Sequence, residues 1–268
     1  MTPEDGLGPL ATALVAAGRV AVLVTVREAR GSTPRDAGTC MIVAGDEIFG
    51  TIGGGRLEWA AIEKAQGLLA SGERNAIMSL PLGPALDQCC GGHVILALAR
   101  LDKALAASLT REEEAARAGW PVVLLFGAGH VGIALAEALR PLPLGFRWYD
   151  ERPDAPSPAR RDAPLDAIEQ APSGAAIVVM THDHKLDYGI AEAALLRPDF
   201  AYVGMIGSST KKARFCRGFI ANGHDPAALA RLVCPIGAGP VKDKRPAVIA
   251  AMTAAELLSV LLTQAPLD

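Results

Sequence analysis

Short apolar runs ending in turn residues alternate along this chain with stretches whose apolar positions recur at helical spacing. Leu7 to Ala17 carries the first helical period and stops at Gly18, a residue suited to the C′ position. Val20 to Val26 is a β-rich run that opens into the polar loop Arg27 to Arg35. Cys40 to Val43 and Ile48 to Ile52 flank Ala44-Gly45-Asp46-Glu47, which predicts a hairpin and therefore antiparallel pairing. The second arm runs into Gly53-Gly54-Gly55-Arg56, after which Leu57 to Leu69 resumes a helical period. Two further strands are expected at Ile77 to Leu80 and Val94 to Ala99.

From Leu101 to Gly119 the pattern fades into a charged, alanine-rich stretch with Arg111-Glu112-Glu113-Glu114, good helix formers without a deep apolar face. It is read as a linker. Beyond it the apolar run Val122 to Phe126 empties into Gly127-Ala128-Gly129-His130-Val131-Gly132 and then into a helix from Ile133 to Arg140. In such a strand, turn and helix the first glycine permits the tight turn, the second lets backbone approach a pyrophosphate, and the third lets the helix lie against the strand. Asp150, closing Phe146 to Asp150, stands where an acidic residue would accept ribose hydroxyls. Glu151 to Pro172, rich in Pro, Arg and Asp, is expected to be irregular or a short surface helix. Strands at Ile177 to Met180, Ala201 to Met205 and Leu232 to Pro235 and helices at Tyr188 to Leu196 and Arg245 to Leu262 complete the pattern.

The predicted fold class is thus α/β, with a C-terminal Rossmann-like parallel sheet (residues 120–268) and a smaller N-terminal α+β domain (residues 1–100), joined by a linker at 101–119. The last helix is apolar around much of its circumference, as a core helix or a homodimer contact would be.

Composition narrows the partners. Half of the 268 residues are hydrophobic and only 4% aromatic, and the formal charge is −3, which gives no electrostatic ground for nucleic acid or an anionic membrane as partner. Mean hydropathy is positive, but the most apolar windows either hold the glycine turn and Glu137 or are too short to span a bilayer. The N-terminus lacks the basic region of a secretory signal, so a cytoplasmic protein is expected. Five cysteines at irregular spacing then read as reduced thiols.

Four places could carry chemistry. Consecutive amides at Gly53 to Gly55, with Arg56 beside them, suit either an anion-binding nest or merely a tight connection into a helix. The adjacent thiols of Cys89 and Cys90, followed by Gly91-Gly92-His93, lack the spacing of a structural zinc site; they could meet a soft metal or carry sulfur, or be two small buried residues. His182, His184 and Asp187 follow a strand at the edge where open α/β sheets bind ligands, either as metal ligands or as polar residues capping a helix. Gly207 and Ser208, ahead of Lys211 and Lys212, have a phosphate-facing composition.

The ordered series Arg30-Gly-Ser-Thr-Pro-Arg35, Gly50 to Gly55 with Glu58, Gln88-Cys-Cys-Gly-Gly92, Gly127 to Gly132, Thr181-His-Asp-His184 with Asp187, Tyr202 to Ser208 and Cys234-Pro-Ile-Gly237 resembles the XdhC/CoxI family of xanthine dehydrogenase accessory proteins. The likeness spans nearly the whole chain; Ala238 to Asp243 departs from the glycine- and isoleucine-rich turn expected there. The resemblance implies a bacterial chaperone that binds molybdenum cofactor (molybdopterin) and protects it while a cysteine desulfurase supplies its sulfido ligand. It then delivers the cofactor to xanthine dehydrogenase or a related molybdenum hydroxylase. It also implies that Cys90, with Cys89, sits near molybdenum or sulfur. Gly53 to Gly55, or the edge carrying Gly127, Gly129, His130, Gly132, Asp150, His182, Gly207 and Ser208, would hold the pterin phosphate, NAD or another nucleotide. The rival readings are an NAD(P)-dependent oxidoreductase, for which no acid–base constellation stands out in the N-terminal half, and a nucleotide-sensing regulatory module.

Overall fold

The computed structural model describes residues 6–82, 91–153, 155, 156, 159, 160 and 163–263. The chain divides into two units after Ala118.

The first unit is built on a five-stranded antiparallel sheet in the order β3-β2-β1-β5-β4, from β1 (Val22–Arg30), β2 (Cys40–Ala44), β3 (Glu47–Gly50), β4 (Asn75–Pro81) and β5 (His93–Arg100). Strand alternation sends Val22, Val24, Val26, Met41 and Val43 to one face, where they meet Leu57, Ala61, Ala65 and Leu68 of α2 (Gly55–Ser71). Leu23 and Ile42 point the other way, against α1 (Leu7–Ala16) and α3 (Lys103–Ala118). The expected hairpin forms with Ala44 opposite Glu47, and Gly45, at φ 67°, occupies the left-handed turn position.

Two expectations change here. The polar stretch after Val26 stays in the sheet to Arg30, because β5 is long enough to pair with it past a register shift between Val26 and Glu28. Residues 101–119 are not a linker. Lys103–Ala118 is a helix of the first unit, packed on α1 through buried Ala106 and Leu109. The Glu113 carboxylate also accepts the N–H groups of Leu7 (2.8 Å) and Gly8 (3.0 Å) at the N-terminus of α1.

The second unit is a five-stranded parallel sheet in the order β10-β9-β8-β6-β7. Its strands are β6 (Val122–Phe126), β7 (Gly145–Tyr149), β8 (Ala176–Val179), β9 (Tyr202–Met205) and β10 (Leu232–Val233). Both faces are covered, as near-continuous apolar strands require. Leu124 and Phe126 pack toward α5 (Pro164–Glu169), α6 (His184–Leu196) and α7 (Ser209–Ala221), whereas Val123 and Leu125 pack toward α4 (His130–Leu139) and α8 (Pro246–Leu261). Helix α8 buries Ala250, Thr253, Ala254, Leu257 and Leu261 within the unit. Strand order reverses between β6 and β8, so the crevice above their C-terminal ends is the place where such sheets take ligands.

Candidate functional sites in the two units

At one end of the first sheet three motif segments meet at two glycines. A Cβ on Gly92 would lie 2.4 Å from the Ser32 carbonyl oxygen and 2.7 Å from that of Arg30, so only glycine lets the start of β5 touch the end of β1. A Cβ on Gly53 would lie 2.6 Å from Pro34, and Gly53 itself is at φ 120°. The segments 30–35, 53–55 and 91–92 are therefore one assembly. Arg30, Arg35 and Arg56 are exposed on it, Arg30 paired with Glu28 at 2.6 Å. Ser79 Oγ and His93 Nε2 lie 2.9 Å apart across β4 and β5. Cys89 and Cys90, which precede Gly91 directly, lie outside the described residues.

The glycine nest holds an anion of its own. Glu58, in the first turn of α2, turns its carboxylate back so that Oε2 accepts the Thr51 hydroxyl (2.5 Å) and the N–H groups of Ile52 (3.0 Å) and Gly54 (3.2 Å). The Gly53 N–H goes to Thr51 Oγ1 at 3.1 Å. A carboxylate three to four residues into a helix is well placed for this, since it satisfies donors that the helix leaves orphaned. A phosphate would have to displace Glu58 to use the same amides.

In the second unit the three glycines of the turn do different things. A Cβ on Gly127 (φ 115°) would stand 2.1 Å from the Met180 carbonyl oxygen, and one on Gly132 would stand 2.1 Å from that of Gly127. These two glycines are demanded by contact between β6, β8 and α4. A Cβ on Gly129 would meet nothing within 4 Å. No side chain caps α4, and Gly129 and His130 are exposed, so its first N–H groups face outward beside the one glycine whose space is open.

Asp150 is differently engaged from the expectation of a free ribose acceptor. It is 6% exposed and accepts the Ala128 N–H at 2.6 Å, the Arg152 N–H at 3.0 Å, and Nε and Nη2 of Arg152, each at 2.9 Å. Burial pushes its carboxyl up, but the hydrogen bonds from Arg152 and the two amides outweigh this and hold it below the usual carboxylate range. Its first task is to lock the glycine turn onto β7. The crevice lined by Gly127, Asp150, Thr181 and His182 encloses only about 10 Å³, so a nucleoside there requires side chains to move.

The segment after β8 is tied to the one after β9 by an ion pair that sequence did not reveal. Asp187 is fully buried; it accepts the Thr181 N–H (2.8 Å) and hydroxyl (2.7 Å) and pairs with Lys211 Nζ at 2.5 Å. Lys211 Nζ also donates to the Ile206 carbonyl at 2.9 Å. Gly207 makes room for the lysine stem, because a Cβ there would lie 2.8 Å from Lys211 Cδ. Ser208 caps α7 by accepting the Lys211 N–H at 3.3 Å. Asp183 caps α6 by accepting the N–H groups of Lys185 and Leu186, and the helix begins at His184, four residues earlier than its apolar period suggests. His182 and His184 are exposed while Asp187 faces inward, and among the described residues no group of three His, Cys, Asp or Glu side chains could hold a metal ion. Also among the described residues, no helix is long and apolar enough to cross a membrane.

An antiparallel unit with a three-segment glycine assembly, followed by a doubly wound parallel unit with an open helix N-terminus, defines a two-unit α/β protein of Rossmann-like type. Residues 123–257 match the XdhC Rossmann domain and residues 14–80 match the XdhC and CoxI family, and the chain belongs to that family. It is 26% identical to the protein YqeB of Escherichia coli (strain K12) over 253 residues, 89% of this chain but 43% of that one, so it spans less than half of that relative. Its fold is similar to the crystal structure of a Bacillus halodurans protein described as a xanthine dehydrogenase. The TM-score is 0.75 at 18% identity, with 99% of this chain and 97% of the other covered.

Proposed function

We propose that this protein is an accessory factor in xanthine dehydrogenase maturation: it binds molybdenum cofactor, protects it during sulfuration by a cysteine desulfurase, and delivers it to xanthine dehydrogenase or a related hydroxylase. Membership of the XdhC and CoxI family and the description of the fold neighbour support the pathway. The observation that carries the cofactor reading is the assembly of segments 30–35, 53–55 and 91–92, in which Gly92 abuts the Arg30 and Ser32 carbonyls and Gly53 abuts the Pro34 ring, approaches that only glycine allows. Three exposed arginines, Arg30, Arg35 and Arg56, stand on this assembly, and Cys90 and Cys89 directly precede its Gly91 in sequence.

The donor set suits the group. Guanidinium groups give charge-assisted bonds to a phosphate, and thiolates are the soft ligands that suit a sulfur-bearing metal centre. When bound, the cofactor contributes a molybdenum centre able to carry a terminal sulfido ligand. The protein's part is to orient the phosphate through Arg35 and Arg56, to keep Glu58 seated in the glycine turn, and to supply thiolates from Cys89 and Cys90. A nucleotide phosphate in the second unit would use the open amides of α4 next to Gly129.

The test is purification from a host that makes molybdenum cofactor, followed by measurement of molybdenum, released pterin and nucleotides. Molybdenum and pterin in equal amounts, lost in Cys89→Ala/Cys90→Ala, are expected. Bound NAD(H) without pterin would replace this reading with a nicotinamide-dependent or nucleotide-sensing one.

A further inference from the structure

A groove of about 740 Å³ lies between the outer flank of α2 and the β2–β3 hairpin, lined by Asp46, Ile48, Arg56, Trp59, Glu63 and Gln66 among others. Trp59, on a helix whose opposite face is the core, is 76% exposed, and Ile48 of β3 is 43% exposed beside it, an unusual display of indole and aliphatic surface. Gln66 Nε2 approaches the Gly45 carbonyl at 3.5 Å, so the groove has a polar closure at the hairpin turn. Glu58 lines the same groove and is the residue that fills the glycine turn. The groove thus runs directly into the assembly described above.

Charge along it is graded. Asp46 and Glu63 stand in the groove, whereas Arg56 marks the glycine turn, and the contact of Gly53 with Pro34 brings Arg35 to that end. A uniformly anionic ligand would be repelled from the acidic part. A ligand that is flat, carries several N–H donors at one end and is anionic at the other meets both halves. A pterin bearing a phosphate has this form: its aminopyrimidinone edge offers N–H donors to carboxylates, and its bicyclic plane offers a face to an aromatic ring.

Resting on the cofactor reading above, we propose that this groove is the pterin seat, with Trp59 stacking on the bicycle and Glu63 and Asp46 accepting hydrogen bonds from its pyrimidinone edge. Removing the aromatic ring from under a stacked planar heterocycle costs about 1–3 kcal/mol, roughly a 5- to 160-fold loss of affinity.

Free pterin is the probe, titrated with protein while its own fluorescence is followed. Trp59→Ala should weaken quenching on the order of tenfold or more, Trp59→Phe should keep affinity within about threefold, and Glu63→Gln should weaken it without changing the stacked spectrum. Because Trp59 is a surface residue, its variants should fold as the parent does, which circular dichroism checks. Unchanged pterin affinity in Trp59→Ala, or no quenching by the parent protein at millimolar pterin, overturns the groove. Those results leave the broader reading intact if the purified parent carries molybdenum and pterin. A parent carrying neither defeats the broader reading and this seat together.

Discussion

Replacing Lys211 by methionine tests whether the pair with Asp187 governs the ligand-facing edge of the second sheet. The Asp187 side chain is 1% exposed and that of Lys211 11%. Opposite unit charges in contact attract by roughly 4 kcal/mol or more at an effective dielectric of about 20, most of it offset by the cost of burying them. Removing only the lysine abolishes the attraction and leaves the burial cost of the aspartate in place. The two Thr181 donors remain, but the paired ammonium does not, and the expected loss is about 3–5 kcal/mol. For a unit of this size each kcal/mol moves the melting temperature by about 2–4 °C, so a fall of at least ~6 °C should appear by calorimetry. Asp187→Asn/Lys211→Met removes both charges, and its cost should fall short of the summed single costs by about 2 kcal/mol. A single-variant cost under about 1 kcal/mol, or strict additivity, would refute the argument that each charge of this pair compensates the burial of the other.

Three further outcomes follow from the geometry. Glu58→Ala should cost about 1–3 kcal/mol in urea unfolding, since it strips two amides and a hydroxyl of their acceptor; an anion such as phosphate, given room in the glycine turn, should recover part of that loss. Asp150 has a folded-state pKa below its unfolded value, so its contribution is fully present above the ordinary carboxylate pKa of about 4 and is lost as pH falls through the depressed value. Asp150→Asn should therefore flatten the acid limb of stability between pH 5 and the acid end of a titration, measured by denaturant melts at successive pH. Gly132→Ala should destabilise severely by driving a Cβ onto the Gly127 carbonyl, whereas Gly129→Ala, opening on free space, should stay within about 0.5 kcal/mol of the parent in thermal melts.

The parallel sheet, its glycine turn and the antiparallel hairpin were legible because each rests on local pattern: period, turn residue and spacing. What escaped was decided by partners distant in sequence. Helix α3 looked like a linker because its core contact falls on Ala106 and Leu109, two positions one turn apart, too narrow a stripe to register as an apolar face. Asp150 sits where the ribose acceptor was expected, yet its oxygens are engaged by Ala128 and by Arg152, and no spacing rule carries that information. Glu58 was noted with the glycine motif, but its return into the nest depends on three successive glycines at positive φ, at 120°, 74° and 64°. Asp187 was read beside His182 and His184 as one polar cluster; the helix that begins at His184 turns the aspartate inward and leaves both histidines exposed.

The contacts of Gly92 with Arg30 and Ser32, and of Gly53 with Pro34, bear on how this surface can be altered. Three segments that interlock through carbonyls and a proline ring cannot be exchanged one at a time. A side chain at position 53 would meet both the Pro34 ring and a backbone conformation, φ 120°, that disfavours it, so a smaller residue at 34 would relieve only half of the conflict. Among homologues, position 53 should stay glycine whatever stands at 34.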